Sequence, residues 1–251
     1  MKITLNRNNK SYTADLSKPI DISLPVTDLT RAWYIAPPSF EPVKMGDTWI
    51  GSVELGGTVN FYDVTFNPHA HGTHTECLGH VTKERESVNQ ALQGSWFVAE
   101  LISVNPINAK GDEVITATEV NKKWRHPDVD AVIIRTLPND AEKAHKNMSS
   151  TNWPYLDRAA GEFLAERGIK HLLIDQPSVD REEDNGALAA HKAFWRIPDA
   201  PRKNATITEL VFIPDEVADG LYLLNLQVAP LENDASPSRP LLFHMDEEMM
   251  V

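Results

Sequence analysis

The sequence predicts a mixed α/β fold from three observations: paired short strands in the first third, a strand–helix–strand unit in the middle, and a further helix and strand beyond it. At the N-terminus, apolar runs at Ile3–Leu5 and Tyr12–Leu16 flank Asn8-Asn9, a dipeptide that tolerates the left-handed backbone of a hairpin turn. Residues 25–42 carry four prolines together with Trp33, Tyr34 and Phe40, and read as a loop that displays aromatic rings. From Trp49 to Phe66 the alternation predicts two strands joined at Gly56-Gly57.

Ala131-Val132-Ile133-Ile134 is a continuous apolar run of the kind found in a strand buried on both faces, and Leu172-Leu173-Ile174 is a second. Between them Leu156, Ala160, Phe163 and Leu164 recur at helical spacing, with Pro154 suited to a first turn and Gly168 to the C-terminal end. Gly186 to Trp195 predicts another helix, and alternation from Leu221 to Val228 a late strand. No repeat, low-complexity tract or linker divides the chain, so residues 1–251 read as a single mixed-sheet domain.

Lys and Arg number 24 against 36 Asp and Glu, a net charge of −12 that repels phosphate backbones and anionic lipid. Nucleic acid and membrane surfaces are therefore not the expected partners. No apolar run reaches the length of a membrane span. One cysteine, Cys77, forms no internal disulfide, and the first residues lack the apolar centre of a secretory signal, so a cytoplasmic protein is expected. No role attaches to the acidic stretch at 246–251.

The chemistry concentrates at residues 69–80, where four of the nine histidines (His69, His71, His74, His80) stand beside Glu76. Imidazoles and a carboxylate converging on one point are what a divalent cation requires. If the segment is extended, His74 and Glu76 leave one face while Thr75 and Cys77 leave the other, which makes Cys77 a small buried filler. Nitrogen and oxygen donors without thiolate suit zinc, with manganese, iron or cobalt also compatible, and one carboxylate can bridge two ions. His80, four residues past Glu76, is placed either to ligate or to move protons. His69-x-His71 with Glu76 also opens the cupin metal pattern, but Lys83 stands where that pattern needs glycine, and the helical periods speak against an all-β barrel.

Gly72-Thr73-His74-Thr75-Glu76 followed by His80 resembles the GTHxD-x-x-x-H signature of the cyclase family of metal-dependent hydrolases, which includes kynurenine formamidases and isatin hydrolases. Asp21-Ile22-Ser23 resembles the family's N-terminal DIS strand, and Asp175-Gln176-Pro177-Ser178-Val179-Asp180 its D-x-P-S-x-D segment. The resemblance implies the swivelling β/β/α fold of kynurenine formamidase. It also implies hydrolysis of a C–N amide bond, in an aryl formamide such as N-formylkynurenine or in a cyclic amide, by metal-activated water. A non-hydrolytic metal-binding protein, or a cyclase or dehydratase on the same fold, is the alternative.

Carried over residue by residue, the resemblance implies His74, Glu76, His191 and Glu209 as metal ligands for one or two ions, zinc or manganese. It implies His80 as the catalytic proton mover and Trp33 as an aromatic beside the substrate. It further implies a homo-oligomer, a dimer or tetramer. Two departures stand out. Glu76 replaces the family's usual aspartate, and its extra methylene carries the carboxylate about 1.5 Å outward. The family's first histidine falls at Ala70, leaving His69 and His71 on either side as candidate ligands, with His69 preferred. Asp175 and Asp180 are expected to support the ligands from behind.

Overall fold

In the computed structural model, which describes residues 1–248, the chain is organised by one mixed sheet of eleven strands. The order along ten of them is Lys2–Arg7, Lys10–Asp15, Leu241–Glu248, Gly220–Asn225, Trp96–Val104, Ala131–Thr136, His171–Ile174, Thr206–Glu209, His74–Cys77 and Ala235–Pro237. Ile20–Asp21 pairs with Leu241–Glu248 off this path. The four strands from Trp96–Val104 to Thr206–Glu209 run parallel, and the remaining pairs of the main sheet are antiparallel.

Parity explains the apolar run at the centre. Val132 and Ile134 pack on one face with Leu164, Phe194 and Trp195, while Ala131 and Ile133 pack on the other with Ile22, Ile213 and Leu224. Both faces are covered, so no position on this strand can be polar without cost. The helices Arg158–Glu166 and Ala189–Trp195 form the cover on the first face.

The N-terminal hairpin forms as the sequence predicts, with Asn8 and Asn9 at φ 50° and 61° between Lys2–Arg7 and Lys10–Asp15. Four other elements differ. Trp49–Ile50 pairs with Lys44–Met45, and Tyr62–Thr65 pairs with Ser39–Pro42, so no hairpin is centred on Gly56-Gly57. Those glycines instead let residues 51–57 fold back on the preceding strand: a side chain at Gly57 would meet the Ile50 carbonyl at 2.1 Å. Leu156 belongs to a short strand, Tyr155–Leu156, that runs parallel to Asp112–Ile115. The helix begins only after Asp157, whose carboxylate accepts from Ala160 N at 2.7 Å and outranks Pro154 as a start signal. The next helix starts at Ala189 because Asp184 turns the chain first, accepting from Gly186 N and Leu188 N. The late strand ends at Asn225, and Val228 makes only an isolated bridge to Ser238.

Trp96–Val104, Thr206–Glu209, Ala235–Pro237 and Leu241–Glu248 complete the sheet, and Ala117–Lys123 adds a helix; none of these is evident from periodicity. Asp246–Glu248 of the acidic stretch belong to the last strand, and 249–251 lie outside the described residues. Among the described residues no helix is long and apolar enough to cross a membrane.

Candidate metal centre

The His74–Cys77 strand is buried along its whole length, and its pleat puts His74 and Glu76 on one side. On the other side Thr75 bonds Thr208 across the strands at 2.8 Å, and the Cys77 thiol donates to the Glu86 carbonyl at 3.2 Å. Burial pushes that thiol up to about 11, which keeps it protonated and inert. Antiparallel pairing with Thr206–Glu209 sets Glu209 directly opposite His74. Glu209 Oε2 consequently lies 3.3 Å from His74 Nε2.

His191 arrives from the helix Ala189–Trp195, whose first turn is anchored by Asp180. One Asp180 oxygen accepts from Ala190 N at 2.7 Å; the other accepts from His191 Nδ1 at 2.6 Å. With Nδ1 committed, His191 Nε2 faces Glu76 Oε1 at 2.9 Å and Glu209 Oε1 at 3.6 Å. Glu209 Oε1 is itself fixed by Val179 N at 2.8 Å. Asp175 acts further back, accepting from Thr136 N and Lys143 Nζ. Within the D-x-P-S-x-D segment Asp180 and Val179 N thus brace His191 and Glu209, whereas Asp175 reaches none of the cluster side chains.

Of the two histidines flanking position 70, only His69 turns inward. Its Nδ1 lies 3.1 Å from Glu76 Oε2, and its Nε2 lies 3.0 Å from Asp234 Oδ2. His71 faces away: its Nδ1 accepts from Asn67 N at 2.9 Å and its Nε2 donates to the Ala36 carbonyl at 3.0 Å. Both His71 nitrogens are engaged in holding the loop, so His71 does not join the cluster. His80 rides on the 3-10 turn Leu78–His80, with Nε2 3.9 Å from Glu76 Oε2 and its ring stacked on His69 at 4.4 Å.

The arrangement fits a cation. Ligand atoms of His69, His74 and Glu76 lie within 4.8 Å of one another, as do those of Glu76, His80 and His191. His74 donates Nδ1–H to the Gly72 carbonyl at 3.1 Å, which leaves the lone pair on Nε2. Among the described residues, that Nε2 and Glu76 Oε2 are buried without a hydrogen-bond partner. Two orphaned donors of electron pairs facing one point are costly unless a positive ion satisfies them.

Electrostatics point the same way. Burial pushes Glu76 upward, but His80, His191 and His69 outweigh it and hold the carboxyl well below its usual range. Burial lowers His69, yet Asp234 and Glu76 carry it up to about 10. Burial likewise lowers His191, and Asp180, Glu209 and Glu76 raise it well above normal. The carboxylates demand positive charge at this point, and protons on the rings supply it when no cation does.

A cavity of 300 Å³ opens beside these donors, lined by Trp33, Ile35, His80, Leu188, His191 and Glu209. Trp33 sits at φ 72°, donates Nε1–H to the His69 carbonyl at 3.1 Å, and packs edge-on against buried Trp153 at 5.0 Å. Its ring is thereby fixed as one wall of the cavity. Sequence reasoning missed Asp234, because nothing in Asn233-Asp234-Ala235-Ser236-Pro237 marks it as more than a polar turn. It is placed by the pairing of Ala235 with Glu76.

Fold and donors together define the class: a mixed α/β protein built around a histidine–carboxylate cluster able to hold a metal ion. Residues 20–181 match the family described as putative cyclase, and the chain belongs to this cyclase family of metal-dependent hydrolases. It is 28% identical over 228 residues to a kynurenine formamidase of Bacillus thuringiensis and to one of Bacillus anthracis, covering 90% of this chain and 97% of each relative. Its fold is similar to that of an isatin hydrolase bound to the product analogue thioisatinate, with a TM-score of 0.64 at 14% identity over 91% of this chain and 93% of the other. A predicted metal-dependent hydrolase from Bacillus stearothermophilus superposes with a TM-score of 0.64 at 18% identity, covering 90% and 98%.

Proposed function

We propose that the protein hydrolyses a non-peptide C–N amide bond, in an aryl formamide such as N-formylkynurenine or in a small cyclic amide. The observation that carries this reading is the pair of buried, unpartnered atoms, His74 Nε2 and Glu76 Oε2, in a cluster whose other members His69, His80, His191 and Glu209 line a cavity walled by an aromatic ring. His69, His74, Glu76, His191 and Glu209 hold one or two divalent cations, zinc or manganese. Such an ion lowers the pKa of water toward neutrality and polarises a carbonyl oxygen.

The remaining work falls to the side chains of this chain. His80 is the most exposed of the cluster histidines, at 30%, and its ring borders the cavity, so it can receive a proton from water and return it to the departing nitrogen. Asp180 fixes the tautomer of His191, and Trp33 offers a flat face against which an aryl ring can lie. Ile35 and Leu188 make that end of the cavity apolar and exclude water from a bound ring.

A homo-oligomer is part of this reading. Phe40, Phe61, Tyr62 and Val64 stand 39–54% exposed on and beside the two-stranded ribbon Ser39–Pro42 with Tyr62–Thr65. A ribbon of two strands is marginal alone in water, and its apolar side chains are best covered by a second copy. Sedimentation of the purified protein reports this directly. The buried thiol of the lone Cys77 suits the reducing cytoplasm.

The deciding experiment is metal analysis by mass spectrometry on the purified protein, followed by turnover of N-formylkynurenine, isatin and simple cyclic imides. Bound zinc or manganese with release of formate or of the opened acid is expected. Activity that survives complete removal of metal sinks the proposal.

A further inference from the structure

We propose that Asp234 is the positioning residue of this centre, a single carboxylate oxygen that orients both the ligand His69 and the proton mover His80. The inference deepens the hydrolase reading and rests on it for the roles of the two rings. Asp234 Oδ2 lies 3.0 Å from His69 Nε2 and 3.5 Å from His80 Nδ1. The two rings stack at 4.4 Å with 29° between their planes. Their opposite nitrogens, His69 Nδ1 and His80 Nε2, face the same Glu76 oxygen at 3.1 and 3.9 Å. Two imidazoles therefore span one pair of carboxylates, Glu76 on the inside and Asp234 at the rim.

With a cation beside Glu76, the ring nitrogen that faces Asp234 keeps its hydrogen and the lone pair stands on the nitrogen turned inward. Asp234 thus puts the lone pair of His69 on Nδ1, toward Glu76 and the cation. It puts that of His80 on Nε2, toward the place where water would be deprotonated. One atom sets both the affinity for the ion and the readiness of the base. The backbone around Asp234 is anchored independently of its side chain: its carbonyl accepts from Cys77 N at 3.0 Å, and Ala235 pairs with Glu76. A change of side chain is therefore separable from loss of the strand. An amide oxygen at this position carries no net charge, so it holds the two ring hydrogens more weakly than a carboxylate oxygen does.

The test compares the wild type with Asp234→Asn and with the conservative Asp234→Glu. Zinc affinity is measured by chelator competition, turnover with N-formylkynurenine, and ring tautomers by nitrogen-15 NMR of the zinc-loaded proteins. Asp234→Asn is expected to lower zinc affinity and kcat each by about 10–100-fold, with KM within about threefold of wild type. His80 is expected to pass from a single Nδ1–H tautomer to a mixture, and Asp234→Glu to restore part of kcat and of the tautomer.

Unchanged affinity with an unchanged His80 tautomer in Asp234→Asn overturns the proposal. So does outright loss of one zinc ion per chain, which would make Asp234 a ligand. If the wild type binds zinc but leaves the amide intact, the reaction proposed above fails. The affinity and tautomer measurements, which need no substrate, then still decide the role of Asp234.

Discussion

Lowering the pH from 7.5 to 5 is expected to cost the fold about 2 kcal/mol through one residue remote from the metal centre, His171. Its ring is buried against Phe97, with ring centroids 4.1 Å apart, and its Nδ1 bonds the Thr206 hydroxyl at 2.9 Å. Burial drives its pKa from 6.5 down to about 4, with Asp130 opposing and Lys170 and Arg202 assisting. The unfolded chain then binds a proton between pH 6.5 and 4 that the native protein refuses. Its contribution is therefore fully present above 6.5 and declines as the pH falls toward 4.

At pH 5 the unfolded imidazole is almost wholly charged and the native one almost wholly neutral, which gives the figure of about 2 kcal/mol. Asp234 and Glu76 are held low and lose their contributions only at more acid pH, whereas His69, raised to about 10, gains stability as the pH falls from 7.5 to 6.5 and opposes His171 there, equally in any two proteins that share it. Urea midpoints of wild type and His171→Leu, taken at both pH values with chelator present throughout, isolate the effect. An equal pH dependence in the two proteins would show that His171 does not carry the effect.

Replacing His80 with Ala should reduce turnover by about a hundredfold or more while metal content stays near wild type, as measured by mass spectrometry; loss of metal would make His80 a ligand. Gly79→Ala places a Cβ 2.3 Å from the Glu86 carbonyl in the turn that carries His80, so a loss of about 1–3 kcal/mol in chemical denaturation is expected. Trp33→Ala removes a wall of the cavity and should raise KM for an aryl formamide about tenfold, with metal affinity retained; steady-state kinetics beside chelator competition check both. Dialysis against chelator should abolish activity, and readdition of zinc or manganese should restore it.

The α/β class and the metal-binding string were legible because each rests on local order. Ala131–Ile134 is apolar without interruption since both of its faces are covered, and His74 and Glu76 share a face through the alternation of a strand. What stayed hidden depends on distant pairing. Thr206–Glu209 reads as a polar stretch, yet it is wholly buried because its threonines bond Thr75 and His171 across the sheet. Leu156 followed the helical period while belonging to a strand, since its burial comes from pairing beside Asp112–Ile115 and not from the helix behind it. His69 and His71 could not be separated by spacing: the four-residue helix Pro68–His71 carries both and sends one ring inward and the other to the Ala36 carbonyl. Asp234 carried no local mark at all.

His191 reaches Glu76 across 115 positions of chain, and Glu209 meets His74 only through strands that neighbour each other late in the sheet order. Residues 69–80 supply His69, His74 and Glu76 by themselves, and the full set of donors exists only once His191 and Glu209 have been brought to them. A cation seated there acts as a removable clasp that stabilises the finished fold over every unfinished one, by an amount that grows with the logarithm of its free concentration. Supply of the ion would then govern how long the molecule survives as well as whether it can work.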